Sequence, residues 1–192
     1  PIYNIALNQR IDIINKYITL NNYITNEKEY IHFLKNKKIA LIGPSETVFS
    51  EKINENDFDI IIRVNKMWGS IISNDTDYTG KRCDILYNNI DFKNDSGGTI
   101  DFDYLCKNKT KFIISTIKYD YNNFEDPDTL YHDDLVLKFF FNFNLSNKNK
   151  IKFIPFNSQK YNYIRSKINT RPNCGFIAIT HLLDLDFRKL YI

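Results

Sequence analysis

Lys38-Ile39-Ala40-Leu41-Ile42-Gly43-Pro44-Ser45 is a short apolar run halted by turn residues, the pattern of a buried parallel strand feeding a tight turn. Four further runs repeat it downstream. Asp59-Ile60-Ile61-Ile62-Arg63-Val64 ends at Asn65, and Cys83-Asp84-Ile85-Leu86-Tyr87 ends at Asn88-Asn89. Lys111-Phe112-Ile113-Ile114-Ser115 and Ile151-Lys152-Phe153-Ile154 are the fourth and fifth strands, and Arg188-Lys189-Leu190-Tyr191-Ile192 reads as a sixth. Helical periodicity lies between them at Asp101–Lys107, Asp128–Phe143, Ser158–Lys167 and Cys174–Leu183. Alternation of this kind predicts an α/β fold, a mostly parallel sheet flanked by helices.

Ahead of Lys37 the pattern differs. Ile11, Ile14, Tyr17 and Ile18 stand near helical spacing, and Asn26 with Glu29 offers a capping box for a second short helix through Leu34. The expected organisation is a helical appendage over residues 1–36 and an α/β domain over 37–192.

Composition excludes several classes. The 192 residues are 43% hydrophobic and 26% charged, with 13 Tyr and 15 Phe, which is ample core material and argues against disorder. No apolar run approaches the roughly 20 residues a membrane-spanning helix needs, and Leu135 to Phe143 is broken by Lys138 and Asn142. A net charge of +3 with interspersed Lys and Asp lacks the concentrated basic patch of a nucleic-acid binder. Cys83, Cys106 and Cys174 form neither a disulfide framework nor a metal-ligand spacing. No apolar leader segment is visible near Pro1, so an intracellular, cytoplasmic, reduced setting is expected.

In a parallel sheet, ligands bind outside the carboxyl ends of the strands, and small polar residues gather there. Gly43-Pro44-Ser45 permits close backbone approach, and Ser45 can cap a helix whose amides face an anion; an ordinary strand-to-helix turn is the alternative. It is neither a Walker loop nor a GxGxxG fingerprint, which disfavours ATP and NAD. Arg63 and Asn65 flank a strand exit, where one can pair an anion and the other read a base or sugar. Alternatively Arg63 is a strand-end ion pair, to Asp57 or Asp84. Arg171-Pro172-Asn173-Cys174-Gly175-Phe176 opens an apolar helix and presents free amides, or is a helix capped by Asn173. Asp101-Phe102-Asp103 spells a metal-type pattern but precedes a helix, so Asp101 is read as an N-cap.

In order and spacing these segments resemble the sialyltransferases. Ile39 to Tyr87 is similar to sialyl motif L: Gly43-Pro44-Ser45, acidic Asp57 and Asp59, Arg63-Val64-Asn65, then Gly80-Lys81-Arg82. Arg171 to Ile192 is similar to motif S, with Pro172-Asn173-Cys174-Gly175 as its turn. Asp57-Phe58-Asp59 and Gly80-Lys81-Arg82-Cys83 also resemble the bacterial members. The resemblance runs from Lys37 onward, with a poorly matching middle from Asp91 to Lys150.

That resemblance implies a Rossmann-like fold of the nucleotide-sugar glycosyltransferase type. It implies a CMP-linked sialic acid donor, a glycan acceptor, and neither metal nor separate cofactor. Gly43, Pro44, Ser45, Arg63 and Asn65 would line the nucleotide site, Asn88 and Asn89 would lie near ribose or sugar, and Asn173, Cys174, Gly175 and Phe176 would close the other side. The family's general base is a His after motif S, and this sequence reaches Ile192 before such a position. A longer parent chain or a short relative that has lost transfer would each account for that. His32, His132 and His181 are poor substitutes, and His181, on the motif S helix, is expected to be structural.

Overall fold

The structure, a computed structural model, describes residues 23–44, 52–65, 76–90, 100–116, 143 and 151–192. Six strands form one parallel sheet: β1 (Lys38–Ile42), β2 (Ile60–Val64), β3 (Ile85–Asn88), β4 (Phe112–Ser115), β5 (Lys152–Ile154) and β6 (Lys189–Tyr191). Their spatial order is β5-β4-β3-β2-β1-β6, and every pair is parallel. Helices α1 (Tyr23–Leu34), α2 (Thr76–Thr79), α3 (Phe102–Lys107), α4 (Ser158–Ile168) and α5 (Cys174–Leu183) accompany it. This is the expected α/β, Rossmann-like arrangement.

The order has a physical reason. From β1 to β5 each strand is added on the same side, and the chain then returns through α4 and α5 to place β6 beside β1. Right-handed crossovers running in opposite directions lie on opposite faces of a sheet. Accordingly Ala40, Ile42 and Ile61 pack on one face against Ile53 and Phe58 from the β1–β2 connection. The opposite face carries Ile39, Leu41, Ile60, Ile62, Val64, Ile85 and Tyr87 against Cys174, Ala178 and Leu182 of α5. Period-two alternation supplies both faces, so these strands read as continuous apolar runs.

The N-terminal segment departs from expectation. Tyr30 and Leu34 of α1 are fully buried in the same cluster as β2, β3 and α5. Asn26 does not open the helix: it lies inside α1, buried, and its Nδ2 donates to the Phe153 carbonyl of β5 at 3.0 Å. Glu29 pairs with Lys152 instead of closing a box. The described part of the expected appendage therefore covers one face of the sheet. The helix expected around Ile11 to Ile18 lies outside the described residues, as does that at 128–143 except for helical Phe143.

Candidate functional site at the carboxyl edge

β2 ends on Asn65, which turns the chain with φ +53°, a left-handed conformation Asn tolerates better than most side chains. Its amide donates to the Tyr87 carbonyl at 2.8 Å, and its Oδ1 accepts from the Asn89 amide at 3.2 Å. Next door, Asn88 is fully buried. Its Oδ1 accepts from the Ile90 amide at 2.6 Å, across a turn in which Ile90 has φ +48°. The two asparagines thus use side-chain carbonyls to satisfy backbone amides released where the ladder stops.

The edge continues through β4 to α5. The Thr116 amide donates to the Asn88 carbonyl at 3.0 Å, and the Thr116 hydroxyl reaches the Cys174 sulfur at 3.1 Å. Asn173 caps α5, accepting from the Phe176 amide at 2.8 Å, so the capping alternative for this residue is what the structure has. The helix points its N-terminus toward the strands' carboxyl ends, where its dipole is positive. Burial pushes the Cys174 thiol up to about 12, leaving it protonated and a poor nucleophile at neutral pH. At the exit of β1, Gly43 has no described atom within 4 Å of where a Cβ would stand, and Pro44 is exposed. Ser45 and His132 lie outside the described residues.

One expected site residue is placed elsewhere. Arg63 is wholly buried on the sheet face opposite α5, where its Nε donates to the Arg82 carbonyl at 2.7 Å. Its Nη2 donates to the Thr79 carbonyl at 2.7 Å and meets Glu55 Oε1 at 3.2 Å. The ion-pair alternative is the observed one, with Glu55 as partner in place of Asp57 or Asp84; Asp84 is held by Arg82 at 2.7 Å. Residue parity explains this: Val64 and Ile62 face α5, so Arg63 must face away. Asp101 is an N-cap, accepting from the Tyr104 amide at 2.9 Å.

Asn65, Asn88, Asn89, Thr116, Asn173 and Cys174 therefore sit along one edge, joined by hydrogen bonds from β2 to β3, from β4 to β3 and from β4 to α5. Thr116 is the member the sequence reading left off its site residues, although it follows β4 in the same small polar pair as Ser115. The edge offers neutral donors and acceptors plus a helix dipole, suited to holding a polar ring or an anion without a formal countercharge. Among the described residues no group of three or more metal-ligating side chains occurs, and no helix is long and apolar enough to cross a membrane.

Beneath the edge lies a buried polar chain that sequence reading did not find. Tyr30 Oη and Tyr87 Oη are 2.7 Å apart, and Tyr87 Oη is 2.8 Å from His181 Nδ1. Tyr30 stacks on the imidazole, and Phe156 meets it edge-on. Burial, reinforced by Lys160, pulls the His181 pKa down to about 3.

No known family model matches this chain, and no curated protein does either.

Proposed function

We propose that the chain is a sialyltransferase-like glycosyltransferase domain. It binds a CMP-linked sugar, with sialic acid as the sugar, at the carboxyl edge for metal-independent, inverting transfer to a glycan hydroxyl. The observation that carries this reading is the convergence on one edge of the segments that resemble motifs L and S. Tyr87, at the end of the segment resembling motif L, hydrogen-bonds His181 on the helix resembling motif S, while Asn65 meets Asn89 and the β4 exit meets the start of α5. Neutral amides there would stabilise a departing phosphate without a metal, as preorganised donors do generally. Three free thiols fit a reducing, cytoplasmic setting.

A second reading, a nucleotide- or glycan-binding module without turnover, is favoured by the placement of the two described histidines. His181 is locked in its aromatic box, and exposed His32 lies on α1. Calorimetric titration with CMP, against UMP, GDP and NAD, tests binding; selective CMP binding lost in Asn65→Ala is expected. Equal binding of all four, or no effect of the substitution, refutes the proposed site. Turnover of CMP-sialic acid with a glycan acceptor then separates enzyme from binding module.

A further inference from the structure

The hydrogen-bond chain through Tyr30, Tyr87 and His181 has one polarity. Among the described residues Tyr30 Oη has no partner besides Tyr87 Oη, so its buried proton goes to Tyr87. Tyr87 must then donate to His181 Nδ1, which leaves that nitrogen bare and the imidazole proton on Nε2. This chain ties three elements together: α1 through Tyr30, β3 through Tyr87, and α5 through His181. Tyr87 immediately precedes Asn88-Asn89, while His181 lies on the helix that begins at Cys174, so the bond spans both halves of the carboxyl-edge site.

We propose that the Tyr87–His181 hydrogen bond is an acid-released latch that holds α5 against β3 and so keeps the site assembled. A proton on Nδ1 would face the Tyr87 hydroxyl donor to donor. Reversing the chain only moves the defect, because Tyr30 would then have to donate and has no acceptor. The groups facing the imidazole make the charge unwelcome. Tyr30 on α1 and Tyr87 on β3 are neutral, and Phe156 is apolar. Lys160 on α4 adds positive charge; Asp184 at the end of α5 opposes it but is paired with Lys160 at 2.5 Å. Protonation is thus accommodated by releasing the imidazole to water. With His181 at about 3 when latched and near its ordinary 6.5 when released, the released population at pH 5 is about 30-fold that at neutral pH.

The latch stands apart from the proposed function, whereas its effect on a nucleotide rests on that reading. Cys174 reports directly, because it sits at the start of α5, buried against Thr116. Cys83, buried just ahead of β3 beside Arg63, serves as an internal control for global unfolding. Alkylation by iodoacetamide would be mapped by mass spectrometry between pH 7.5 and 5 for the wild type and His181→Asn. Asn offers a neutral acceptor in place of Nδ1 that does not titrate, and taking the ratio of the two proteins at each pH cancels intrinsic thiol ionisation. The expected result is a Cys174 ratio that rises toward about 30-fold by pH 5, with Cys174 in the wild type labelled well ahead of Cys83, which reacts only through global unfolding. A flat Cys174 ratio, or Cys174 labelled no faster than Cys83 at pH 5, overturns the latch. Tyr87→Phe, if it folds, should raise Cys174 labelling already at pH 7.5 and remove most of its pH dependence; wild-type labelling there overturns it too. CMP titration over the same range reads the site. Affinity falling with acid in the wild type alone supports regulation, pH-independent affinity overturns that part, and absence of binding at every pH counts against the nucleotide reading, with the thiol result still deciding the latch.

Discussion

Replacing Arg63 with Met should cost about 3 kcal/mol of stability while sparing ligand binding. The guanidinium makes three hydrogen bonds, to Arg82 O, Thr79 O and Glu55 Oε1, from a side chain with no exposed surface. Its removal strands two carbonyls and the Glu55 carboxylate, whose side chain is 23% exposed. Breaking a buried pair from one side typically costs about 3–5 kcal/mol. Two effects pull the figure down. Among the described residues Arg63 Nη1 has no hydrogen-bond partner, so an unsatisfied donor, a defect of about 1–3 kcal/mol, is removed by Met. Glu55 also retains the Arg82 amide at 2.6 Å. A net loss of about 3 kcal/mol in a chain of this size lowers Tm by roughly 6–12 °C. Urea unfolding followed by circular dichroism, with Glu55→Gln and the double variant completing a cycle, measures both the loss and the coupling. A loss below about 1 kcal/mol, or no coupling between the two positions, refutes the staple. The proposed CMP affinity should stay within about twofold. A well-folded Arg63→Met that no longer binds CMP would return the guanidinium to the ligand.

Gly80→Ala should destabilise by about 1–3 kcal/mol, since Gly80 has φ +69° and a Cβ there would stand 2.1 Å from Glu55 Cδ; a wild-type melting curve would contradict this. Asn173→Ala should cost about 1 kcal/mol through loss of the α5 cap, and Asn173→Asp should restore it, both read by thermal unfolding. Stability should also fall with acid because of His181. Above about pH 6.5 neither state holds its proton; below, the unfolded chain takes one that the folded chain refuses until about pH 3. The slope is about 1.4 kcal/mol per pH unit for this group, and urea unfolding between pH 7.5 and 5 should find it absent in His181→Asn.

Local signals were legible in the sequence and non-local ones were not. Strand β1 and helix α5 have the expected bounds, Asp101 caps as expected and Asn173 takes its capping alternative, because an apolar run, a turn residue and a cap each act within a few residues. Asn26 marks the complementary limit: its Nδ2 bonds a carbonyl 127 residues away, a contact that no capping pattern within a few residues announces. Arg63 shows the same limit. Its burial follows from strand parity, but choosing Glu55 over Asp57 or Asp84 required the fold of the connection after β1.

The sequence by itself determined an α/β chain with small polar residues at the strand exits, since periodicity and turn chemistry are properties of short segments. Tertiary structure decided the strand order, the docking of α1 onto the sheet, and the meeting of Tyr30, Tyr87 and His181. Those depend on which faces pack together. That choice is made by the hand of the crossovers and the burial of whole elements, and no local stretch of residues encodes it.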